Sequence, residues 1–249
     1  MSRLLPALSL ALLLAACGGG DSLSSTPGTP DPDKAGRLFI IEPGPDATTE
    51  MVLAMIDAKP GDVIEFTEGY FELTSGIQLS STENVRVRGA GKDKTVLSFK
   101  NSTTQEGLLA TNVRGIWVED LTVLDPPGDA FKLQGVNFGT LSRVRAIWSS
   151  GRKTDNEDTI NASNYTTKMQ VGCNAELDDY ETSTASGRYG IYPVNSQNIL
   201  VEDTESIGAS DAGIYVGQTD NAIIRTSRAA YNVFGFEIEN VRRGEYSDN

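Results

Sequence analysis

The stretch GIYVGQTDN, Gly213 to Asn221, contains a short apolar alternation, Ile214 and Val216, followed by small and polar residues. A similar phrase, GIYPVNSQN, begins 23 residues earlier at Gly190, and GFEIENVRR begins 22 residues later at Gly235. A unit of this size cannot bury its own apolar side chains. Its recurrence therefore predicts a solenoid, in which each coil covers the apolar side chains of the next.

Other short runs follow the same pattern of a small or amide residue followed by alternating apolar positions. These runs begin at residues 84, 115, 139, 198, 221 and 244. Alternation over four or five residues between Gly, Asn, Asp and Ser clusters indicates strands and turns. The interval of about 23 residues is interrupted between 139 and 198, where about 36 extra residues predict an insertion over 151–187. A loop beside the solenoid and one irregular coil both fit this insertion.

Several phrases resemble the right-handed parallel β-helix repeat proteins of the pectate-lyase-like superfamily. More narrowly, they are similar to a functionally poorly defined group of exported or lipid-anchored bacterial members. The phrases are AKPGDVIEF (58–66), RGAGKDKTVLSF (88–99), YGIYPVNSQNILVED (189–203), SDAGIYVGQ (210–218) and FEIEN (236–240). The resemblance covers residues 46–249 and implies an all-β solenoid, a right-handed parallel β-helix, with the domain at 37–249. A fold of this kind does not by itself assign a function.

The two ends of the expected solenoid differ. Residues 46–59 predict a helix, because Val52, Met55 and Ile56 have helical spacing and Pro60 would end it. Such a helix would cap the N-terminal end, where the first coil otherwise exposes a sheet edge. The C-terminal end has no comparable segment and stops inside a coil. We therefore expect that C-terminal coils are missing and that the chain is a fragment.

The first residues predict export. Residues 1–16 carry one arginine followed by an apolar run typical of a signal peptide. The run ends in Leu-Ala-Ala-Cys, which resembles the lipobox of bacterial lipoproteins and implies lipid attachment to Cys17. Residues 17–36 would then be a flexible linker to the membrane, which predicts a lipid-anchored protein of the bacterial cell envelope, at the outer membrane or cell surface. The alternative is an ordinary signal peptide with a chance cysteine.

The composition excludes several function classes. The formal net charge is −13, which argues against a nucleic-acid partner. The chain contains no histidine, so Ser-His-Asp triads and histidine-based zinc sites are ruled out. Acidic residues are numerous, which leaves Ca²⁺ open as a ligand, although no three-ligand cluster stands out in the sequence. No cofactor is identified.

A set of matched positions suggests a surface that binds a ligand. Tyr192, Tyr215 and Glu237 occupy the same place in the three phrases, and Lys132 occupies it in an earlier coil. Each lies between two apolar residues, so alternation turns it outward. With coils spaced by about 4.8 Å, the four would form an exposed ladder about 14 Å long. The expected flanking residues are Asp129, Gln134, Asp211, Gln218 and Glu239.

This ladder is suited to a polysaccharide. Tyrosine rings offer flat faces to sugar rings, and carboxylates and amides match sugar hydroxyls. Lys132, Tyr192 and Tyr215 are candidate acid and base groups for a polysaccharide lyase or epimerase. Glu237 and Glu239, roughly 7 Å apart along one strand, are the candidate pair for a glycoside hydrolase.

Other interpretations of these residues remain open. Outward charges often serve only solubility, stacked aromatic residues often stabilise neighbouring coils, and Asp129 and Asp211 suit turns. Two functions therefore stand side by side. One is a carbohydrate-active enzyme, and the other is a non-catalytic surface lipoprotein that binds a glycan or a protein partner.

Overall fold

The computed structural model describes residues 36–149, 160–168 and 187–249, which contain twenty strands and two helices. The predicted signal peptide and Cys17 lie outside the described residues, as do most of the linker and most of the predicted insertion. In chain order the elements are β1 Leu38–Ile41, α1 Ala47–Asp57, β2 Val63–Phe66, β3 Gly69–Glu72, β4 Ile77–Ser80, β5 Glu83–Arg88, β6 Thr95–Ser98, β7 Leu108–Thr111, β8 Arg114–Glu119, β9 Thr122–Leu124, β10 Phe131–Gln134, β11 Asn137–Ser142, β12 Arg145–Ile147, α2 Tyr165–Lys168, β13 Ile191–Val194, β14 Gln197–Glu202, β15 Glu205–Ile207, β16 Ala212–Gly217, β17 Asp220–Arg225, β18 Arg228–Ala230, β19 Phe234–Glu239 and β20 Arg242–Ser247.

The strands form three parallel sheets that run the length of the molecule. The first sheet has the order β1-β2-β5-β8-β11-β14-β17-β20, the second β19-β16-β13-β10-β7-β4, and the third β18-β15-β12-β9-β6-β3. Each coil contributes one strand to each sheet, and equivalent strands of successive coils pair in parallel. Connections between parallel strands follow the right-handed rule. The chain is a right-handed parallel β-helix, which confirms the expected fold class.

The core is built from inward-facing side chains that stack from coil to coil. Phe131, Ile191 and Ile214 lie one above another in the second sheet, and all three are fully buried. Val118, Leu141 and Val201 form a similar column in the first sheet, again without exposed surface. These columns explain the recurring phrase GIY, since its isoleucine fills the core and its tyrosine points the other way.

The register differs by one residue from the expected one in two coils. Ile116 pairs with Gly139, so Phe138, and not Gly139, is equivalent to Asn198 and Asn221. Phe138 adopts the left-handed φ of +64° that its equivalents adopt at +55° and +59°. Asparagine and glycine adopt this conformation readily, and phenylalanine rarely does. For this reason Gly139 was expected at the position that Phe138 occupies. The last anchor is likewise Arg243 and not residue 244, because Gly244 pairs with Ala222.

The N-terminal helix is present, and most of its expected face packs against the core. Helix α1 packs against β1, β3 and β4, and it buries Ala47, Met51 and Ala54. Ile56 is 73% exposed. Val52 and Met55 are partly buried against the core beside these residues, so only Ile56 of the expected set lies away from it. None of the described helices is long and apolar enough to cross a bilayer.

The third sheet is covered on its outer face. Leu124, Ile147 and Ile207 stack outward on consecutive coils, and Ile160, which lies within the predicted insertion, packs on them and is 3% exposed. The Tyr70 hydroxyl donates a hydrogen bond of 3.4 Å to the carbonyl oxygen of Ile160. Ile160 of the insertion thus packs on the outer face of the third sheet and not on the second sheet.

Two neighbouring isoleucines in β17 test the inward and outward assignment. Ile224 is fully buried, and Ile223, the preceding residue, is half-buried on the outer face. We expect Ile224→Asp to lower the free energy of unfolding by about 4 kcal/mol or more, because it places an unpaired carboxylate in the core. Ile223→Asp, the matched control, should cost about 1 kcal/mol. Guanidinium denaturation followed by circular dichroism measures both, and equal losses would contradict the assignment.

Candidate functional site

The four ladder residues lie in register on the outer side of the second sheet. Lys132 pairs with Tyr192, the pairing of β13 with β16 places Tyr192 beside Tyr215, and Tyr215 pairs with Glu237. The turns that lead into these strands add side chains to the same surface. We call this surface the tyrosine face. It consists of Glu106, Lys132, Arg188, Tyr189, Tyr192, Asp211, Tyr215, Glu237 and Glu239, together with the buried Asp129 that pairs with its cations.

Tyr215 is not exposed as expected, since only 8% of it is accessible. A side chain at Gly217 would collide with the Tyr215 ring, because a Cβ there would lie 2.5 Å from a ring carbon. The ring therefore lies along its own strand over Gly217. Its hydroxyl donates a 2.7 Å hydrogen bond to Oε2 of Glu239, which pairs with Gly217 on the next coil. Tyr215 is thus a covered element of the surface, and its hydroxyl orients Glu239.

A third tyrosine, Tyr189, completes an aromatic cluster that the sequence did not indicate. Its ring centroid lies 4.6 Å from that of Tyr192 and 5.1 Å from that of Tyr215, and the latter two are 5.0 Å apart and nearly perpendicular. Tyr189 and Tyr192 are half-buried and so keep part of their surface accessible. Tyr189 lies in the turn before β13, whereas the alternation argument considered strand positions only. The phrase Tyr-Gly-Ile-Tyr was the available signal.

One end of the tyrosine face carries a cluster of ion pairs. Nζ of Lys132 lies 3.2 Å from Oδ2 of Asp129 and 3.9 Å from Oε1 of Glu106. The Asp129 side chain is fully buried, and its Oδ2 also forms an ion pair with Nη2 of Arg188 at 3.5 Å. The backbone N–H of Tyr189 donates to its other oxygen at 3.3 Å.

Asp129 is therefore not a surface residue that flanks the ladder, because its carboxylate is occupied by these partners. It holds Lys132 and the turn of Tyr189 in place. Lys132 in turn lies over the Tyr192 ring, 5.0 Å from the ring centroid, so the ion pairs also fix the aromatic cluster.

The other end of the face is acidic. Burial, followed by the nearby Asp211 carboxylate, raises the pKa of Tyr189 to about 12. Burial raises the pKa of Tyr215, and Glu239 raises it further. Burial also raises the pKa of Glu237, with Asp211 and Glu239 adding to the shift. Three carboxylates therefore lie close together without making an ion pair with any described residue.

The predicted amide residues lie at the margin. Gln134 is in the row of Glu239, but Val194 and Gly217 separate the two, a distance of roughly 14 Å. Gln218 is exposed in the turn after β16 with a left-handed φ of +45°. Within the described residues, neither amide side chain makes a hydrogen bond to the aromatic cluster.

These contacts limit the chemistry that the tyrosine face can perform. Tyrosines whose pKa values are raised stay protonated at neutral pH, so they can donate hydrogen bonds or protons but do not act as bases. Lys132 is held between two carboxylates. The surface is therefore well suited to bind through rings, hydroxyls and carboxylates. Within the described ranges, no group of three or more acidic or cysteine side chains is arranged to hold a metal ion.

Comparison with known proteins gives remote structural likenesses. No family model matches the chain, and no curated protein matches its sequence. An alginate lyase from Paenibacillus sp. str. FPU-7 is 14% identical with a TM-score of 0.43, over 82% of this chain and 65% of that one. Geobacillus virus E2 ORF18 is 12% identical with a TM-score of 0.47, over 77% and 42%. The PL6 family alginate lyase AlyGC is 9% identical with a TM-score of 0.31, over 86% and 39%. The chain thus spans less than two thirds of the length of each.

The tyrosine contacts predict how stability changes in alkali. A tyrosine whose pKa is raised in the folded state stabilises the fold at pH values below its unfolded pKa, and this stability is lost as the pH rises through the folded pKa. We expect the denaturation midpoint to fall between about pH 10 and pH 12, since burial and Asp211 raise the pKa of Tyr189 to about 12. Tyr189→Phe should make this fall shallower. An unchanged pH dependence in that variant would contradict the assigned contact.

Proposed function

We propose that this protein binds a polysaccharide lengthwise along the tyrosine face. The observation that carries the proposal is the continuous register of Lys132, Tyr192, Tyr215 and Glu237 on successive coils, joined by tyrosine rings about 5 Å apart. A polymer with a regular repeat is the kind of ligand that matches a regular row of side chains. The row runs along the axis of the solenoid, so a chain can extend over several coils.

The chemistry of the row supports sugar as the ligand. The accessible parts of Tyr189 and Tyr192 are apolar surfaces bordered by hydrogen-bonding groups, which is what a pyranose ring requires. Glu237 and Glu239 can accept hydrogen bonds from sugar hydroxyls. The contacts among Asp129, Lys132 and Tyr189 hold the surface in place before a ligand arrives, which reduces the entropic cost of binding.

The contacts on the tyrosine face favour binding without catalysis. A lyase or epimerase needs a base for the proton at C5 of a uronic acid, and the residues first considered for it, Lys132, Tyr192 and Tyr215, are an ion-paired cation and two packed phenols. Hydrolysis by Glu237 and Glu239 is the remaining catalytic alternative. The raised pKa of Glu237 suits a proton donor, and Glu239 would serve as the base.

Removal of one ring tests the proposed function. We expect Tyr192→Ala to weaken polysaccharide binding by about tenfold or more, because it removes an accessible stacking surface and the support of Lys132. Isothermal titration calorimetry against a panel of acidic, neutral and amino-sugar hexamers measures the effect. Tyr246→Ala is the matched control, since Tyr246 is a 40% exposed tyrosine of the first sheet.

The outcomes separate the alternatives. Binding that is lost in Tyr192→Ala and kept in the control supports the proposal. Equal binding by both variants places the ligand elsewhere, and no binding to any hexamer rejects polysaccharide. The same samples are assayed for unsaturated uronates and for new reducing ends. If the wild-type protein releases reducing ends and Glu237→Gln does not, the function is hydrolysis and not binding alone.

We also propose that the protein is an exported lipoprotein, anchored through Cys17 and a linker that ends at residue 36. The support is the Leu-Ala-Ala-Cys sequence and the polar segment that follows it. In a bacterium fed an alkyne fatty acid, the wild-type chain should acquire the label and fractionate with membranes. Cys17→Ser should remain unlabelled and Cys173→Ser, the matched control, should keep the label. Label in Cys17→Ser would overturn the assignment.

A further inference from the structure

A cleft opens at the N-terminal end of the second sheet, between helix α1 and strand β4. Its volume is about 410 Å³, within the range of about 300–1,000 Å³ that sites for small ligands have. Helix α1 contributes the apolar side chains of Val52, Met55 and Ile56, and the β4 side contributes the polar side chains of Ser75, Gln78 and Ser80. We call this feature the α1 cleft, and the described residues that line it are uncharged.

The polar wall of the α1 cleft belongs to the same row of side chains as the tyrosine face. Gln78 pairs with Leu109, Leu109 pairs with Lys132, and Lys132 pairs with Tyr192 on the next coil. Leu109 is half-buried on this outer face, so it leaves an apolar surface between the two polar ends. Three coil spacings separate Gln78 from Tyr192, a distance of roughly 14 Å along the solenoid.

This row is closed at its N-terminal end. In the described chain β4 is the terminal strand of the second sheet, and helix α1 packs on it where a preceding coil would otherwise lie. Ile56 lines the cleft and is 73% exposed, so it projects into solvent from the helix that faces Gln78. A polymer that follows the row from Tyr192 toward β4 therefore meets the side of a helix.

Both walls of the α1 cleft are held in place by backbone contacts. The N–H of Thr74 donates a 3.2 Å hydrogen bond to Oγ1 of Thr48, which ties α1 to the segment before β4. The N–H of Gly76 donates to Oγ1 of Thr104 at 2.8 Å, and a side chain at Gly76 would collide with the carbonyl oxygen of Glu106. The cleft is thus formed before a ligand arrives, which lowers the entropic cost of binding.

The chemistry of the α1 cleft suits an uncharged sugar. Gln78 and Ser80 are exposed, and their side chains make no hydrogen bond within the described residues, so they can bond to sugar hydroxyls. The apolar wall of α1 can contact the face of a sugar ring, in the usual division of a ligand site into apolar lining and a few polar groups. The described lining offers no charge that would pair with a carboxylate or an ammonium group.

Building on the proposed polysaccharide function, we propose that the α1 cleft is a terminal subsite that receives an uncharged sugar at one end of the polymer. The sugars that follow lie over Leu109 and reach the accessible ring of Tyr192. An internal sugar has neighbours on both sides and would drive the chain into α1. The protein therefore recognises chain ends and not internal stretches of the polysaccharide.

The number of protein molecules bound to each polymer chain tests this proposal. The probes are β-xylan, mixed-linkage β-glucan and polyguluronate, each as a hexamer and as a much longer chain, with the full-length protein. Sedimentation equilibrium measures the stoichiometry. We expect one protein per chain for the neutral polymers at both lengths, because each chain presents one suitable end. A stoichiometry that rises in proportion to chain length overturns the terminal subsite.

A pair of matched double variants locates the subsite. Ile56→Ala/Gln78→Ala removes one side chain from each wall and should weaken binding of the neutral hexamer by about tenfold. It should also bind more than one protein per long chain, since the tyrosine face remains. Leu53→Ala/Gln197→Ala is the control, because Leu53 is an exposed residue of α1 outside the cleft and Gln197 is exposed on the first sheet. Equal behaviour of the two variants rejects the cleft.

The remaining outcomes separate this proposal from the one on which it rests. Binding that is lost in Tyr192→Ala but rises in proportion to chain length keeps the polysaccharide function and overturns the terminal subsite. Binding of polyguluronate alone keeps the polysaccharide function and overturns the uncharged terminal sugar. Failure of every probe to bind rejects both proposals. Circular dichroism of each variant confirms that the fold is retained.

Discussion

Parallel pairing of equivalent strands is the constraint on which the rest of the molecule depends. Backbone N–H and C=O groups of the strands pair with the neighbouring coils, so a strand residue sits directly above its equivalent. Side chains that share a position in the repeat are thereby brought to about 4.8 Å, whatever their chemistry. The core columns gain from this spacing, since isoleucine above isoleucine leaves no gap.

Outside the core, the same spacing brings charged side chains close together, and the sheets differ in how these charges are paired. On the first sheet, opposite charges alternate between coils, as in the ion pairs of Arg225 with Glu202 and Arg86 with Glu119. On the second sheet a buried aspartate holds two cations at one end, whereas the other end keeps like charges close together.

The sequence predicted those parts of the structure that follow from periodicity. The fold class, the capping helix and the register of Tyr192 with Tyr215 all follow from alternation and spacing. The sequence did not predict features that depend on one particular neighbouring residue. The ring of Tyr215 is covered because Gly217 leaves room for it, and Phe138 takes a backbone conformation that favours asparagine or glycine. The burial of Asp129 depends on partners up to 60 residues away in the chain, which no local pattern reveals.

The contact of Ile160 with the third sheet limits how this solenoid can vary. Repeat proteins are commonly lengthened or shortened by whole coils, because each coil touches only its neighbours. Here Ile160 and Tyr165, which follow β12 in the chain, pack against outward side chains of several coils, from Tyr70 to Ile207. Removing or adding a coil within that span would shift half of the segment's contacts by about 4.8 Å relative to the other half. These coils are bound into one unit of fixed length.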